Sequence, residues 1–349
     1  MAEAAPPRAL TTDDFDYALP GELVAQAPTA ERGASRLLAV ERESGALRDL
    51  RFPQVVELIP PGDLLVLNST RVRHARLVGA RPGGGPAEVL LVHPNADGTW
   101  LAMGRPGSAL RPGKAIVLGS GMQVETVLVR DDGMRHVRFH GGTADEVIAR
   151  HGRLPLPPYI THDPTDVDEE RYQTVYAERE GSVAAPTAGL HYTHAILDAL
   201  AAKGVVIGSL DLEVGPGTFR PVEVRDPSAH VMHEERYEIP ERLAAQVAAA
   251  RARGGRVWAV GTTVVRALES AARDDGTVRA GASSTALFIT PGFRFRVVDR
   301  LQTNFHLPRS TLIMLVAAFA GYEATMAAYR HAVAARYRFY SYGDAMVIL

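Results

Sequence analysis

The spacing of apolar residues changes along this chain, and that change limits the folds the chain can adopt. Between residues 71 and 142, about six short apolar runs alternate with period two and are separated by Gly, Pro, Asn and Asp. Short strands at this spacing predict a small antiparallel barrel or sandwich. From residue 195 onward, strand patterns alternate with helix patterns, and Gly204 and Gly254 end two of the predicted helices. This second pattern predicts a layered α/β domain.

Two further strand patterns, at residues 36–40 and 63–67, lie before the antiparallel region. Because α/β patterns stand on both sides of the short strands, the simplest architecture is one α/β domain built from both chain ends. We predict that residues 1–70 and 153–349 form this domain and that residues 71–152 form a β module inserted into it. The late strands of the α/β domain are predicted at residues 285–289 and 297–303.

The composition excludes several classes of site. The chain has no cysteine, which excludes disulfides, a thiol nucleophile and cysteine-ligated zinc or iron–sulfur clusters. The formal net charge is −2, so any contact with nucleic acid needs a local basic patch. The most apolar run, residues 312–320, is far shorter than the roughly 20 residues of a membrane span. These features predict a cytosolic protein without a membrane span.

Three polar strings stand where a predicted strand gives way to a predicted helix. They are residues 186–192, 261–266 and 303–308. Ligands of open α/β sheets bind outside the carboxyl ends of the strands, and the unsatisfied N–H groups at a helix start favour anions. We therefore expect the three strings to line one cleft. His306 in the third string is either an acid–base group or a histidine that only stabilises the fold, and its position makes the two equally plausible.

Two other patterns are weaker. His230, His233 and Glu234 form H-x-x-H-E, which differs from the H-E-x-x-H spacing of helical zinc sites, so a metal is the less favoured interpretation. The glycine turn at residues 214–219 lacks the G-x-G-x-x-G spacing, so the chain has no dinucleotide fingerprint at this turn.

The densest basic cluster is the string from Arg71 to Arg76. On one continuous strand, Arg71 and Arg73 would share one face, and His74 and Arg76 the other. Such a cluster either contacts phosphates or forms the solvated face of an edge strand. The aromatic and basic string at residues 337–344 has similar alternatives: its rings stack on bases or pack the last helix onto the core.

Taken together, these strings resemble one family over nearly the whole chain, the S-adenosylmethionine:tRNA ribosyltransferase-isomerases of queuosine biosynthesis. The resemblance implies a monomeric enzyme with an α/β domain and a β-barrel domain. It also implies transfer and isomerisation of the ribosyl group of S-adenosylmethionine onto 7-aminomethyl-7-deazaguanine in tRNA, which yields epoxyqueuosine-tRNA, adenine and methionine. The strings that carry the resemblance are residues 14–15, 64–72, 154–160, 172–176, 183–191, 217–219, 232–233, 259–266, 303–308, 310–316, 318–322 and 337–346.

This chemistry requires a base at the ribose 5′ carbon, an acid that assists the departure of adenine, and donors for the methionine carboxylate. We predict that His306 and His191 act as base or acid, with Glu269 as a third catalytic residue. S-adenosylmethionine is expected as a ribosyl donor, and no metal is predicted. Substrate binding is predicted for Thr262, Thr263, Arg266, Asn304, Thr187 and Gly189. Binding of tRNA is predicted for Arg71, Arg73 and Arg76.

The chain departs from the family pattern at Glu213, which stands where the family commonly has histidine before its glycine turn, and at residues 192–194, which vary the usual phenylalanine–acidic stretch. These departures leave two alternatives to the tRNA-modifying enzyme. The first is a non-catalytic paralogue that binds tRNA or a nucleoside. The second is a transferase that acts on a free small molecule, which the negative net charge would suit.

Overall fold

The computed structural model describes residues 9–215 and 222–349. The glycine turn predicted at residues 214–219 therefore lies mostly outside the described residues. The chain divides into two compact units. The first comprises the described residues of Met1–Asn68, Thr187–Leu210 and Gly217–Leu349. The second comprises the described residues of Ser69–Pro186 and Asp211–Pro216.

Eighteen strands and eight α-helices are assigned among the described residues. The strands are β1 (Arg36–Val40), β2 (Leu47–Arg51), β3 (Leu64–Asn68), β4 (Thr70–Val72), β5 (Arg76–Ala80), β6 (Pro86–Pro94), β7 (Trp100–Arg105), β8 (Ala115–Val117), β9 (Gln123–Val129), β10 (Arg135–His140), β11 (Gly152–Arg153), β12 (Arg179–Ser182), β13 (Val206–Leu212), β14 (Glu235–Ile239), β15 (Val257–Val260), β16 (Gly281–Thr285), β17 (Arg300–Asn304) and β18 (Ala345–Ile348). The helices are α1 (Val55–Leu58), α2 (Ala144–His151), α3 (Asp166–Arg171), α4 (His194–Ala202), α5 (Glu241–Ala252), α6 (Thr262–Ser270), α7 (Thr311–Ala320) and α8 (Tyr322–Ala334).

The first unit is built on a nine-stranded mixed sheet with the order β16-β14-β13-β3-β15-β17-β18-β1-β2. Strands β13, β3, β15 and β17 run parallel, and β18 returns antiparallel to β17. Every residue of β3, β15 and β18 is buried. Continuous apolar strands of this kind are typical of a sheet covered on both faces, and helices α5, α6 and α8 pack against it.

The parallel strands give the sheet two distinct edges. Strands β15 and β17 end at Val260 and Asn304, and the sheet edge beyond them is the carboxyl edge. The same strands begin at Val257 and Arg300, and the edge before them is the amino edge. A short 3₁₀ helix, Thr187–His191, contacts β17.

The second unit contains a ring of six antiparallel strands. Neighbours pair in the order β5-β6-β7-β10-β9-β8, and a pairing of Ala80 with Val117 joins β8 back to β5. Burial alternates along these strands, as in β6, where every second residue from Ala87 to Leu91 is buried. The inward residues form an apolar core that includes Leu77, Val89 and Val137. Alternation of this kind is what a sheet with one packed face requires.

The mixed α/β class with large sheets is confirmed, and each of the six short strands predicted in the antiparallel region is present. The assignment of residues 71–152 as a separate inserted barrel stays a prediction. No single described helix is long and apolar enough to cross a membrane; α7 and α8 reach that length and hydropathy only together, with a bend of 117° between them.

Two late strands differ from the sequence prediction. The strand predicted at residues 297–303 begins only at Arg300, because the N–H groups of Val297 and Val298 donate to the Glu269 carboxylate instead of a neighbouring strand. The strand predicted at residues 285–289 lies earlier, at Gly281–Thr285, where it pairs with β14.

The continuous strand predicted from Arg71 to Arg76 is wrong. Strand β4 ends at Val72, and the Gln173 side chain bonds both the N–H and the C=O of Val72, at 2.9 Å each. The chain then turns, with the Ala75 N–H donating to the Arg73 carbonyl at 2.7 Å. The predicted sharing of strand faces within this string therefore does not occur.

Candidate active site

Helix α6 begins at the carboxyl edge with a glycine that the backbone requires. Gly261 has φ 91°, a conformation that residues with a side chain rarely adopt. Its N–H donates to the Gln302 carbonyl at 2.8 Å. No side chain caps the helix start. The first N–H groups of α6 therefore keep the positive end of the helix dipole available to an anion.

Two threonines occupy the first turn of α6. Thr262 and Thr263 are 5% and 6% exposed, and neither hydroxyl has a hydrogen-bond partner within residues 9–215 and 222–349. A Cβ placed on Gly261 would lie 3.4 Å from the Ala188 Cβ and 3.6 Å from the Thr263 Oγ1. The α6 start and the Thr187–His191 helix are thus neighbours in the first unit.

The buried imidazole of His191 is held by two side chains. Its Nδ1 lies 2.7 Å from the Ser35 Oγ, and its Nε2 lies 3.2 Å from the Asn304 Oδ1. The Asn304 Nδ2 donates to the Tyr340 carbonyl at 2.9 Å, which fixes the amide so that its oxygen faces His191. The Nε2 therefore carries the proton, and Nδ1 accepts from the Ser35 hydroxyl. Both ring nitrogens are occupied.

Burial and packing keep His191 neutral. Its ring stacks on Phe52 at 5.0 Å between centroids. Burial lowers the pKa of His191 to about 4, although the hydrogen bond to Asn304 works in the opposite direction. His191 is therefore an oriented neutral group at pH 7, without an open lone pair.

His306 is also buried, but one ring nitrogen is open. Its Nε2 lies 2.9 Å from the Thr303 Oγ1, and no residue in the described part of the chain hydrogen-bonds its Nδ1. Its backbone N–H donates to the Tyr329 hydroxyl at 2.9 Å, which anchors the loop. Burial lowers the pKa of His306 to about 3, so the imidazole is neutral at pH 7. Of the two histidines, His306 has the atom that a proton transfer needs.

Arg266, predicted to hold an anion, has a buried partner. Its guanidinium contacts the Glu235 carboxylate, and both side chains are 4% exposed. The Arg266 Nε is buried without a hydrogen-bond partner among the described residues. The charge of Arg266 is thus met by Glu235, a residue on the distant strand β14 that no local sequence pattern marks.

Glu269, predicted as catalytic, accepts three backbone N–H groups. Arg296 donates to its Oε2 at 2.9 Å, and Val297 and Val298 donate to its Oε1 at 3.0 and 2.9 Å. These bonds occupy the carboxylate and tie the loop before β17 to α6.

Two further predicted site residues, Thr187 and Gly189, lie in the short 3₁₀ helix. Thr187 is half-buried at the start of its short helix, and the carbonyl of the buried Gly189 accepts the Tyr192 N–H at 3.2 Å. With His191 on Asn304 and Ala188 beside Gly261, residues of the three predicted strings are brought together. The aromatic string packs into the core instead, because Tyr337 and Phe339 are fully buried.

The arginines predicted to bind tRNA lie in the second unit, and each has a partner there. The Arg71 Nη2 donates to the Ala177 carbonyl at 2.6 Å, and Arg76 forms an ion pair with Glu88 at 2.8 Å. Arg73 stands over the Trp100 ring at 5.1 Å and only 4.0 Å from the Glu180 carboxylate. The neighbouring acids reduce the positive charge of this cluster.

Among the described residues, no three His, Asp or Glu side chains are arranged to hold a metal.

The hydrogen bonds of Asn304 depend on Gly343. A Cβ on Gly343 would lie 2.5 Å from the Phe339 carbonyl carbon and 2.6 Å from the Arg338 oxygen, so Gly343→Ala must displace the loop that holds Asn304. We expect Gly343→Ala to cost about 1–3 kcal/mol of stability and to lower activity. Gly21→Ala is the matched control, since a Cβ there meets nothing within 4 Å. Urea unfolding checks the prediction, and equal midpoints for the two variants would contradict it.

The two buried histidines predict a loss of stability in acid. Their folded pKa values, about 4 and about 3, lie below the ordinary value of 6.5. Below pH 6.5 these histidines bind protons in the unfolded chain but not in the folded chain. The free energy of unfolding therefore falls by about 1.4 kcal/mol for each histidine and each unit by which the pH decreases. His306→Gln should make the loss between pH 6.5 and 4 less steep, whereas His194→Gln, at an exposed position, should not. Urea midpoints from pH 7 to 4.5 test this, and parallel curves would refute it.

The chain matches known proteins over nearly its full length. Residues 12–348 match the family model described as "Queuosine biosynthesis protein". A protein of Symbiobacterium thermophilum named S-adenosylmethionine:tRNA ribosyltransferase-isomerase is 54% identical over 339 residues, which cover 96% of this chain and 99% of that protein. A protein of Azoarcus with the same name is 53% identical and is covered to 97%, as is this chain.

A solved structure is similar as well. The crystal structure of an S-adenosylmethionine tRNA ribosyltransferase from Thermotoga maritima has a TM-score of 0.56 and 36% sequence identity. The match covers 96% of this chain and 100% of the solved chain. Together with the family model and the relatives, it shows that this chain belongs to the family of queuosine biosynthesis proteins, the S-adenosylmethionine:tRNA ribosyltransferase-isomerases.

Proposed function

We propose that this protein transfers and isomerises the ribosyl group of S-adenosylmethionine onto 7-aminomethyl-7-deazaguanine in tRNA, giving epoxyqueuosine-tRNA, adenine and methionine. The observation that carries the proposal is the meeting of two strand–helix junctions, β15–α6 and β17–α7, with the Thr187–His191 helix at the carboxyl edge of the sheet. There the α6 start, His191 and His306 offer an anion-binding helix end and two neutral imidazoles.

His306 is proposed to carry the proton transfer. In the tautomer whose Nε2–H donates to the Thr303 Oγ1, the Nδ1 of His306 has the lone pair of a base. It can take the proton of the ribose 5′ carbon, which the adjacent sulfonium makes acidic. The resulting imidazolium can then give this proton to the departing adenine.

His191 and Asn304 are proposed as positioning residues. The bonds from Ser35 and Asn304 fix the imidazole of His191. The carbonyls of Tyr340 and Ser341 lie 2.9 and 3.4 Å from the Asn304 Nδ2. A neutral, oriented imidazole provides a fixed dipole beside the substrate without a charge that would repel the sulfonium.

The methionine carboxylate is proposed to lie at the start of α6. Thr262 and Thr263 supply hydroxyl donors, and Arg266 adds positive charge from behind, reduced by its contact with Glu235. Thr187 and Gly189 are proposed to line the same site through the helix that adjoins Gly261. Glu269 is proposed to act indirectly, by holding α6 and its following loop.

The finer features of the architecture remain proposals. We propose that the second unit contains a β-barrel domain inserted in the α/β domain, that the enzyme acts as a monomer in the cytoplasm, and that Arg71, Arg73 and Arg76 contribute to tRNA binding. Arg73 is the best of the three, because Arg71 donates to the Ala177 carbonyl at 2.6 Å and Arg76 pairs with Glu88 at 2.8 Å, whereas the Arg73 guanidinium is 4.0 Å from the Glu180 carboxylate.

The function is tested by adenine release. We expect the protein to release adenine from S-adenosylmethionine only when tRNA carrying the aminomethyl-deazaguanine base is present. Release with the free base alone would support a small-molecule transferase instead. No release under either condition would support the non-catalytic paralogue. Quantified adenine and mass spectrometry of digested tRNA distinguish these outcomes.

The role of His306 predicts a selective kinetic defect. Removing an acid–base group costs about 10²- to 10⁴-fold in rate, so His306→Gln should lower kcat by that amount with little change in S-adenosylmethionine affinity. The matched control is His194→Gln, an exposed histidine of the same unit, which should retain wild-type kcat. A His306→Gln enzyme with kcat within threefold of wild type would reject the role.

A further inference from the structure

Four arginines line a cavity in the first unit, away from the candidate active site. The cavity has a volume of about 470 Å³, and its lining includes Arg42, Arg256, Arg294 and Arg300. Arg256 directly precedes β15 and Arg300 begins β17, so this arginine cavity lies at the amino edge of the sheet. Gly261 stands five residues beyond Arg256, a separation of about 16 Å along an extended strand.

The guanidinium groups of the arginine cavity are not directly paired with carboxylates. None of the four guanidinium groups forms an ion pair within the described residues 9–215 and 222–349. Asp299 also lines the cavity, but its carboxylate accepts from the Arg251 Nη1 at 3.1 Å and from the Val257 N–H at 2.8 Å. In the described part of the chain, the Arg300 Nη1 donates to the backbone carbonyl of Asp299 at 2.9 Å.

The arginines also act on one another. Burial lowers the pKa of Arg300, and the nearby charge of Arg256 lowers it further, while Asp299, Asp63 and Glu41 oppose the shift. Like charges held together without direct ion pairs favour an anionic ligand, and guanidinium groups bind phosphate oxygens in a fixed fork geometry.

Aromatic rings accompany the arginines. Phe293 and Phe295 line the cavity on either side of Arg294 and are half-buried. The two rings meet edge to face at 5.0 Å, and Phe295 meets Phe319 in the same way at 4.8 Å. Aromatic faces between cationic groups are the composition of surfaces that bind unpaired nucleotides.

The loop that presents these side chains is firmly held. Beyond Phe295, the N–H groups of Arg296, Val297 and Val298 all donate to Glu269. The Arg251 Nη2 also donates to the Arg296 carbonyl, at 3.1 Å. A fixed loop loses little conformational entropy on binding.

We propose that the arginine cavity binds the tRNA substrate outside its modified base, with the guanidinium groups on backbone phosphates and Phe293 against an unpaired base. The inference rests on the proposed function for its choice of RNA. It adds a binding surface at the amino edge of the sheet, opposite the edge where the chemistry is proposed.

The test compares two double variants with the same loss of charge. Arg256→Gln/Arg294→Gln changes the cavity, and Arg242→Gln/Arg330→Gln changes two exposed arginines on α5 and α8. Binding of a fluorescent, unmodified tRNA transcript is measured by anisotropy at several salt concentrations. We expect the cavity variant to bind about tenfold more weakly, with a salt slope lower by about 1–2. The control variant should stay within about twofold, and equal effects of the two variants would overturn the proposal.

Two further measurements identify the ligand. Phe293→Ala should weaken tRNA binding about tenfold without changing the salt slope, because stacking is not ionic; unchanged affinity would overturn the assignment of a base to the site. Calorimetry with inorganic pyrophosphate gives the other check. If the cavity variant loses pyrophosphate binding but keeps tRNA affinity, the cavity is a small-anion site and the proposal is wrong.

Failure of this inference is distinguishable from failure of the proposed function. If the wild type releases adenine with modified tRNA while the cavity variant binds and reacts as the wild type does, only the arginine cavity is rejected. If the wild type releases no adenine, the binding data still decide whether the cavity takes RNA. The affinity for S-adenosylmethionine should be the same in all variants.

Discussion

The buried carboxylate of Glu269 is the interaction on which much of the first unit depends. An unpaired buried carboxylate would be costly, but three backbone N–H groups satisfy this one. By taking the N–H groups of Val297 and Val298, it delays the start of β17 until Arg300. Helix α6 thereby connects the two edges of the sheet, with Thr262 at the carboxyl edge and Glu269 anchoring the loop that lines the arginine cavity.

The candidate active site depends on polar groups that are buried and fully oriented. The low pKa values of His191 and His306 arise from burial, since neither imidazole has a carboxylate partner. Neutral imidazoles suit a cationic substrate, because a charged imidazole beside a sulfonium would oppose binding. The same burial makes the site sensitive to acid and to any shift of the loop that holds Asn304. The hydrogen bonds that hold His191 and Asn304 therefore contribute both to the stability of the first unit and to the orientation of the groups in the site.

The sequence predicted the parts of this site that depend on local order. The pattern at residues 257–263, a strand followed by a glycine and two threonines, indicates the start of a helix. It does so because the chain reverses direction there independently of its surroundings. The sequence also places His306 just beyond the end of a strand, whereas His191 lies in a 3₁₀ helix that follows no strand of the nine-stranded sheet directly. It could not predict that Asn304 fixes the tautomer of His191, because that depends on carbonyls more than 30 residues further along the chain. Nor could it predict that Glu235 meets Arg266, since the pair forms only when α6 and β14 come together.

The two sets of arginines also show what the sequence alone could not predict, namely which of them have carboxylate partners in the fold. Arg71, Arg73 and Arg76 are dense in sequence, yet Glu88, Glu180 and a carbonyl reach them from elsewhere in the second unit. The arginines of the cavity are spread over residues 42–300 and form no visible pattern, yet the fold brings Arg42 and Arg294 together with the amino ends of β15 and β17. Net charge near zero is therefore compatible with binding a polyanion, because what attracts a phosphate is a guanidinium without a carboxylate beside it. The sequence shows only where basic residues are numerous. The fold determines which of them lie without a neighbouring carboxylate, and only those release counterions when RNA binds.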